Sequence, residues 1–545
     1  MNVELPSTGN EQPPAFTEAL ACRAWCAALP MGNPVQVQAQ LLRQLHLMNR
    51  FTLDAATRLA LLELLREPVY FVQEEVARKF SGRPLPLAPP EQAAFDSVHT
   101  LWQALATGYL HCLSGRPASG DPAEAARVCA RTLAALHRDY VDLIRAGMQP
   151  EGLLWRRVHA AYAVAEKLDV AGLAVADPLR DGPAATVADA YVEILLLAAG
   201  SLHEMTPRQQ GWVMRWARRW AAKVSVLASL PPESPALPLS VDLASDAPAR
   251  FRPYSGPNAR WLDTAELRKS LKTRLKRLAE GGENNTPEKL GLGEDCPQPA
   301  CGEVLRRIYP RWVKGGVLRR HERHPMHGAC RFVVGVDAIH YYLSGSQPFK
   351  SPEAPTVDLL RRQREELATF DRVAERFEDE YSRNHGYQLE NWEVVEDWGM
   401  IDQSSGGLRL ERALKQAGGR LAVGQLVAVR PAGASGLLLG AVRWAQVRGE
   451  AMTAGIQLFP GKPTPVAVRA TGVQAERDPW RPGFLLPPVT ALELPACAVL
   501  PPGSFKANRI FEAWSVAEGS RRIRLIDALD RGADYERATW APAGD

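Results

Sequence analysis

Long apolar runs, cysteine pairs at metal-binding spacing and a large excess of one charge are all lacking from this 545-residue sequence. No apolar stretch reaches the ~18 residues that a membrane-spanning helix needs. The N-terminal MNVELPSTGNEQPP also lacks the basic and apolar regions of a signal peptide. We therefore expect a cytoplasmic protein without a membrane span. With 65 basic and 61 acidic residues, nucleic-acid binding is not expected, and any anion site must be local.

The eight cysteines are scattered along the chain, and none lies in a CxxC pair. Cys22 with Cys26, and Cys296 with Cys301, could each supply half of a zinc site, but neither pair has a second pair at a plausible interval. We expect all eight to be reduced structural thiols.

Enzyme signatures are scarce as well. The sequence has no GxxxxGK[ST] loop and no HExxH, and the run that begins at Ser404 lacks the GxSxG context of a nucleophile elbow. The spacing of His321, His324 and His327 suggests a metal site, but an intervening proline and the neighbouring arginines argue against one. The acidic run 375–380 is typical of a solvated helix face. We predict no enzymatic activity, no cofactor and no metal.

The first half of the chain has the pattern of consecutive helices. Apolar residues recur at steps of three and four, as in Leu41, Leu42, Leu45 and Met48, and glycine is sparse. Helix breaks coincide with Gly- and Pro-rich turns, and no repeat has a convincing phase. A proline-rich segment follows, and it contains a short basic helix predicted at 264–279.

The second half has the sequence pattern of short strands. Runs such as FVVGVDAIHYYL (332–343) and GLLLGAVRWAQVRG are rich in Val, Leu and aromatic residues and are separated by Gly and Pro, which predicts a barrel or a sandwich. A helical segment at 357–382 interrupts them, with a narrow apolar seam that packs on one partner. We expect that helix to dock on its own barrel, and a self-associating coiled coil is the alternative. The strands of 463–545 either complete the first barrel or form a second one.

The segment GVLRRHERHP contains three arginines just before a predicted strand. Arg319 and Arg323 are four residues apart, with Arg320 between them. Guanidinium groups bind phosphate bidentately and stack on flat rings, so two of them in a loop can clamp a nucleotide. The pattern alone is weak, because Arg307 and Arg311 repeat it upstream.

The segment DQSSGGLRL supplies a second candidate group. Asp402 and Ser404 point the same way in extended chain and could hydrogen-bond to a purine edge. Gly407 lets the backbone approach a ligand closely. An ordinary Asx-type turn entering a strand explains this segment equally well when it is taken alone.

Together the two segments resemble the PilZ domain, a six-stranded barrel that binds cyclic di-GMP. That family has an RxxxR loop before its first strand, matched here by Arg319 and Arg323, and a [D/N]xSxxG turn, matched by Asp402, Ser404 and Gly407. The strands after the turn are also similar to the family. The resemblance implies that the arginines hold phosphates and stack on guanine, while Asp402 and Ser404 contact the base.

The resemblance covers only residues ~310 to 462, and the two motifs are unusually far apart, with 79 residues from Arg323 to Asp402. A helical insertion at about 350–390 accounts for the excess and would sit beside the ligand. The expected fold class is multidomain α + β, with an all-α helical N-terminal region, a PilZ-like β-barrel containing that insertion, and extra C-terminal strands. The predicted segments are a disordered tail (1–14), a helical domain (15–228), a linker with a basic helix (229–300), the barrel (301–462) and a β-rich extension (463–545).

We therefore predict a receptor that binds cyclic di-GMP through Arg319, Arg320, Arg323, Asp402, Ser404 and Gly407, and that relays its level to an unidentified protein partner. A homo-oligomer through the 357–382 helix is a further candidate arrangement. The leading alternative is an interaction scaffold whose barrel uses these motifs structurally. An enzyme acting on a nucleotide is a third hypothesis, with no nucleophile or acid–base pair to support it.

Overall fold

The computed structural model describes residues 4–9, 12–114, 120–180, 182–231, 237–315, 323–352, 395–472, 479–490 and 493–543. The chain divides into two compact units. The first unit comprises Met1–Arg83 and Leu87–Arg319, and the second comprises Pro84–Pro86 and Arg320–Asp545.

The first unit is built mainly of helices. In chain order they are α1 (Ala19–Ala27), α2 (Pro34–Arg50), α3 (Ala55–Ala77), α4 (Pro89–Ser114), α5 (Pro122–Arg145), α6 (Gly152–Lys167), α7 (Val187–Ala199), α8 (Pro207–Trp220), α9 (Ala265–Glu280) and α10 (Ala300–Val313). Short strands lie between them, namely β1 (Ala174–Val175), β2 (Ala185–Thr186), β3 (Ser225–Leu227), β4 (Ser240–Asp242) and β5 (Ala259–Asp263).

Several of these helices begin where a side chain can satisfy a free backbone N–H. Asn33 and Asp54 accept hydrogen bonds from the backbone N–H groups three residues on, at the starts of α2 and α3. Thr186 and Thr206 form reciprocal capping boxes with the third residues of α7 and α8. Such a cap stabilises a helix by about 1 kcal/mol, so these sequence positions fix the helix starts.

Two kinds of contact consolidate the first unit. Trp216, Trp220 and Trp312 are fully buried, with successive ring centroids 5.9 and 6.2 Å apart, and they join α8 to α10. Glu193 on α7 is buried beside three basic side chains, with Arg180 at 2.7 Å, His137 at 3.2 Å and Arg218 at 3.5 Å. The carboxylate is thereby compensated inside the helical core.

The predicted linker 229–300 contains regular structure. Its strand β5 pairs with both β4 and β3 in a small antiparallel sheet, and the predicted basic helix is confirmed as α9. The expectation that all eight cysteines are reduced is wrong for one pair. Cys296 and Cys301 form a disulfide across the turn that leads into α10, with their Cα atoms 5.2 Å apart. The two residues are close enough in the folded loop for the bond to form, which their spacing alone did not indicate.

The second unit contains two β-barrels. The first barrel is formed by β7 (Ala329–Val334), β8 (Glu396–Ser404), β9 (Gly407–Ala413), β10 (Leu426–Pro431), β11 (Leu438–Arg448) and β12 (Ala451–Leu458). Hydrogen-bonded neighbours follow the order β7-β8-β9-β12-β11-β10, and β10 pairs back to β7, so the ring closes. The short strand β6 (His324–Pro325) extends the ring by pairing with the C-terminal part of β8.

The second barrel is formed by β13 (Thr464–Ala470), β14 (Arg481–Leu486), β15 (Cys497–Leu500), β16 (Ile510–Ser515), β17 (Gly519–Arg531) and β18 (Glu536–Pro542). It closes in the order β13-β14-β15-β18-β17-β16. Counted along the chain, both rings run first, second, third, sixth, fifth, fourth. The extra C-terminal strands therefore form a second barrel of the same strand order, rather than completing the first.

One predicted strand is wrong in its second half. The run 332–343 leaves β7 at Gly335, whose φ of 91° suits glycine, and continues as helix α11 (Val336–Leu343). Ile339 of this helix packs in a core that also includes Leu426 and Phe459 of the first barrel segment and Phe484 of the second barrel. The strand thus gives way to a helix that fills the space between the two barrels.

The predicted fold class, a helical N-terminal region followed by β-barrel structure, is confirmed. The helical insertion at 350–390 and the self-association helix at 357–382 lie almost entirely outside the described residues. Among the helices that the structure describes, none is both long and apolar enough to cross a membrane.

Candidate functional site

Pairing between β6 and β8 brings the two candidate motifs together. Pro325 lies opposite Asp402 in this ladder, so the residues just before β6 run alongside the end of β8. Arg323 Nη1 donates a hydrogen bond to Asp402 Oδ1 at 2.8 Å, with 35% of the arginine side chain and 18% of the aspartate side chain exposed. Two residues separated by 79 positions thus form a solvent-accessible ion pair on the first barrel.

The second motif forms the tight hairpin between β8 and β9. Ser404 pairs with Gly407 across a two-residue turn, and the Ser404 hydroxyl donates to the Gly407 carbonyl at 3.4 Å. A Cβ at residue 407 would collide with the Ile456 carbonyl of β12. The glycine is therefore required by the close approach of a neighbouring strand, whatever role it has toward a ligand.

Two residues that sequence reasoning missed extend the site from Asp402 across the barrel, and only the first of them approaches Asp402 itself. Arg409 is directly opposite Asp402 in the β8–β9 ladder, with its Nη1 3.9 Å from Asp402 Oδ2. Arg409 in turn lies opposite Gly455 of β12, and Gly455 lies opposite Trp444 of β11. These four residues form a single row across four strands, which we call the cross-strand row.

Gly455 makes this row possible. A Cβ at residue 455 would overlap the indole Nε1 of Trp444, so the indole lies over the glycine. The Arg409 guanidinium carbon is 6.0 Å from the Trp444 ring centroid, within the range of a cation–π contact. Trp444 also follows a register shift in β11 between residues 442 and 444, and such bulges re-aim side chains. A signal for this arrangement was present in the sequence, because a glycine inside a strand often marks a close approach.

The arrangement suits an anionic, flat ligand. Arg323, Arg409 and Asp402 together carry one excess positive charge, and the two guanidinium groups are partly exposed. Guanidinium groups donate to phosphate oxygens, and an indole or a guanidinium plane stacks on a nucleobase. A carboxylate and a hydroxyl can read the hydrogen-bonding edge of a purine, and both are present at Asp402 and Ser404.

Other candidate residues fall outside this geometry. Arg319, Arg320 and His321 are not among the described residues, and neither is the acidic run 375–380. In the part of the chain that the structure describes, no group of three His, Cys, Asp or Glu side chains is arranged to hold a metal ion. The upstream pair Arg307 and Arg311 has a structural role, since both donate to the Glu204 carboxylate at 2.6 Å in the first unit.

The helical region matches a known family. Residues 20–232 match the model described as the N-terminal domain of the cyclic-di-GMP receptor FimW. The chain is also 25% identical over 551 residues to the cyclic-di-GMP receptor FimW of Pseudomonas aeruginosa, a match covering 92% of this chain and 87% of that protein. Sequence reasoning assigned the helical half to no family and found its resemblance in the barrel half. The matched family domain lies in the helical half instead.

Proposed function

We propose that this protein is a cyclic di-GMP receptor whose ligand binds to the first barrel. The observation that carries the proposal is the contact between Arg323 and Asp402, because it joins one residue of each motif at one surface of the first barrel. The similarity to a protein named as a cyclic-di-GMP receptor supports the same ligand class.

In this proposal each group of the site has its own task. Arg319 and Arg323 hold phosphate oxygens and stack on guanine, and Arg320 adds positive charge beside them. Asp402 and Ser404 hydrogen-bond to the base, as the PilZ resemblance implies. Arg409 and Trp444 extend the site, because Arg409 offers a second guanidinium next to Asp402 and Trp444 offers an aromatic face next to Arg409. Gly407 keeps the hairpin close to β12.

Binding would be coupled to a rearrangement of the ion pair. Arg323 donates to Asp402 at 2.8 Å, so its guanidinium must turn from that carboxylate, or share its donors, to reach a phosphate. The loop that carries it would then be fixed by charge-assisted contacts to the ligand. We propose that this ordering is read by a protein partner in the cytoplasm, without chemical change to the nucleotide.

The scaffold hypothesis also has a specific observation in its favour. The same ion pair satisfies Asp402 within the barrel, and Gly407 is explained by packing against Ile456 alone. If the motifs serve only the barrel, Asp402→Asn should lower the free energy of unfolding by up to about 1 kcal/mol, as for other partly exposed ion pairs, and no nucleotide should bind.

The test is isothermal titration of cyclic di-GMP into the full-length protein. The variant is Arg319→Ala/Arg323→Ala, and the matched control is Arg448→Ala/Arg521→Ala, which removes two exposed arginines from elsewhere on the barrels. Each lost charge-assisted bond should weaken binding by about tenfold or more, so the double variant should show no binding while the control binds normally. Absence of binding to the folded wild-type protein would favour the scaffold.

Two further readouts follow from the same samples. Chromatography of the recovered nucleotide should show cyclic di-GMP unchanged, and its hydrolysis would favour the enzyme hypothesis. Light scattering with and without ligand measures the molar mass and so tests self-association through the 357–382 helix. A variant with charged residues in the apolar seam of that helix is the control and should stay monomeric.

A further inference from the structure

Strand β11 of the first barrel contains one residue more than its partner β12. Val442 lies opposite Ile456 and Trp444 lies opposite Gly455, so Arg443 is the extra residue between them. In a regular strand, residues two apart share a face, and Trp444 would then point into the barrel with the buried Val442. The bulge at Arg443 turns Trp444 to the opposite face, where the indole joins the cross-strand row.

Two side chains hold Arg443 at the bulge. Its Nε donates to Gln457 Oε1 of β12, and its Nη2 donates to Asp530 Oδ2 at 2.9 Å. Gln457 lies directly opposite Gly407, the last residue of the hairpin motif. Asp530 belongs to β17 of the second barrel, is 14% exposed, and also accepts a hydrogen bond from the Tyr535 hydroxyl at 2.8 Å. A guanidinium bonded on both sides has little freedom to turn, so the second barrel helps to fix the bulge.

The turn between β17 and β18 also contacts the backbone beside the bulge. The Ala533 N–H donates to the Gly424 carbonyl at 2.7 Å, and the Gly424 N–H donates to the Val442 carbonyl at 2.7 Å. A Cβ at Gly532 would collide with the Gly424 carbonyl, so this close approach requires glycine. The second barrel therefore reaches the bulge by two routes, an ion pair and a chain of backbone hydrogen bonds.

We propose that Arg443 is a positioning residue for the ligand site of the first barrel, and that Asp530 makes the second barrel a support of that site. This inference rests on the proposed function. Arg443 acts through its chain neighbour Trp444, since a change in the bulge moves the indole relative to Gly455 and Arg409. The affinity for the nucleotide thus depends on a carboxylate of the other barrel.

Charge and position make opposite predictions for Asp530. Cyclic di-GMP is an anion, so removal of a nearby carboxylate should strengthen its binding if only the charge matters. A direct contact between Arg443 and the ligand also predicts stronger binding, because the guanidinium would be released from its counter-charge. If Asp530 instead holds Arg443 in place, its removal should weaken binding, since the bulge loses one of its two anchors. The sign of the change therefore separates positioning from these alternatives.

The first test is isothermal titration of cyclic di-GMP into full-length variants. Asp530→Ala and Arg443→Met should each weaken binding by about threefold to tenfold, as for residues that act through a neighbour. The double variant should bind no more weakly than Arg443→Met alone, because both substitutions remove the same contact. Asp527→Ala is the matched control, because it removes an exposed aspartate from the same strand, and it should not weaken binding. Stronger binding to Asp530→Ala, or equal weakening in the control, would overturn the proposal.

The second test measures the position of Trp444 without ligand. In protein labelled with 5-fluorotryptophan, the fluorine signal that disappears in Trp444→Phe belongs to this indole. The signal should shift in Asp530→Ala and in Arg443→Met, and it should stay in place in Asp527→Ala. The signals of the other tryptophans check that each variant is folded. A Trp444 signal that does not move in either variant would overturn the proposal, whatever the affinities.

The two readouts separate this inference from the proposed function. If the wild-type protein does not bind cyclic di-GMP, the proposed function fails and the effect on affinity falls with it, while the fluorine spectra still decide whether Arg443 positions Trp444. If the wild-type protein binds and Asp530→Ala and Arg443→Met bind equally well, the proposed function stands and this inference is overturned.

Discussion

Asp402 and Trp444 lie at the two ends of one row of paired residues that crosses four strands of the first barrel. Between them are Arg409, which approaches both, and Gly455, whose missing side chain leaves room for the indole. The row places a carboxylate, a guanidinium and an aromatic ring at the same level along the barrel axis. Its geometry depends on the strand register, since a slip of one residue would send these side chains to the opposite face.

The first prediction concerns Gly455. Gly455→Ala places a methyl group where the Trp444 indole lies, so the indole must move, and overpacking of this kind costs about 1–3 kcal/mol. Urea denaturation followed by circular dichroism should show that loss in the free energy of unfolding. Cyclic di-GMP affinity should fall too, because the row loses its aromatic face.

Gly399→Ala is the matched control for this prediction. Gly399 is also a strand glycine of the first barrel, but a Cβ there would meet only the Glu411 carbonyl, at an ordinary 3.6 Å. The control should change the free energy of unfolding by about 0.5 kcal/mol or less. Equal effects of the two substitutions would mean that Trp444 does not depend on the space above Gly455.

The sequence predicted those parts of the site that are local in the chain. The hairpin that begins after Ser404 was recognisable from a short motif, and the class of fold followed from the patterns of apolar residues in helices and strands. Arg319 and Arg320 of the other motif lie outside the described residues. The meeting of Arg323 with Asp402 was foreseen only through the family resemblance, because 79 residues separate them. No local rule of spacing brings such distant groups together.

The rest of the site could not be predicted because it is set by strand register. Arg409 and Trp444 come from strands that are not adjacent in the ring, and only the pairing of both with Gly455 relates them. The helix that follows Gly335 was missed for another reason, since its β-branched and aromatic residues favour strand locally while tertiary packing selects a helix.

The second prediction concerns the buried pair that closes one end of the first barrel. Glu396 accepts from Arg412, from the Trp398 indole and from the Gly419 backbone, with 2% of its side chain exposed. Glu396→Gln leaves the Arg412 charge buried without a counter-charge, which typically costs about 3–5 kcal/mol. The free energy of unfolding from urea denaturation measures this loss.

An exposed ion pair of the same barrel serves as the control. Glu450 lies 3.2 Å from Lys415, but 81% of each side chain is exposed. Glu450→Gln should therefore change the free energy of unfolding by about 1 kcal/mol or less. A Glu396→Gln protein as stable as this control would show that the buried pair contributes no net stability to the barrel.

The third prediction is a dependence of stability on pH that arises from Glu193. Burial by itself would raise the pKa of Glu193, but the neighbouring His137, Arg180 and Arg218 outweigh it and lower the pKa to about 2. The unfolded chain, with a pKa near 4.5, takes up the proton first as the pH falls. The stabilisation is therefore complete above about pH 4.5 and is lost as the pH falls toward 2, and it amounts to about 3 kcal/mol.

Urea denaturation between pH 3 and pH 7 tests this prediction. For the wild-type protein, the urea concentration at the unfolding midpoint of the helical unit should decrease once the pH is below 4.5. Glu193→Gln should be less stable at pH 7, and its free energy of unfolding should decrease less on acidification, because the titrating group is gone. Glu74→Gln removes a carboxylate that is 51% exposed and should leave the acid slope unchanged. If Glu193→Gln kept the full wild-type slope below pH 4.5, the acid sensitivity would arise from other carboxylates, and the charge cluster around Glu193 would not hold its pKa down.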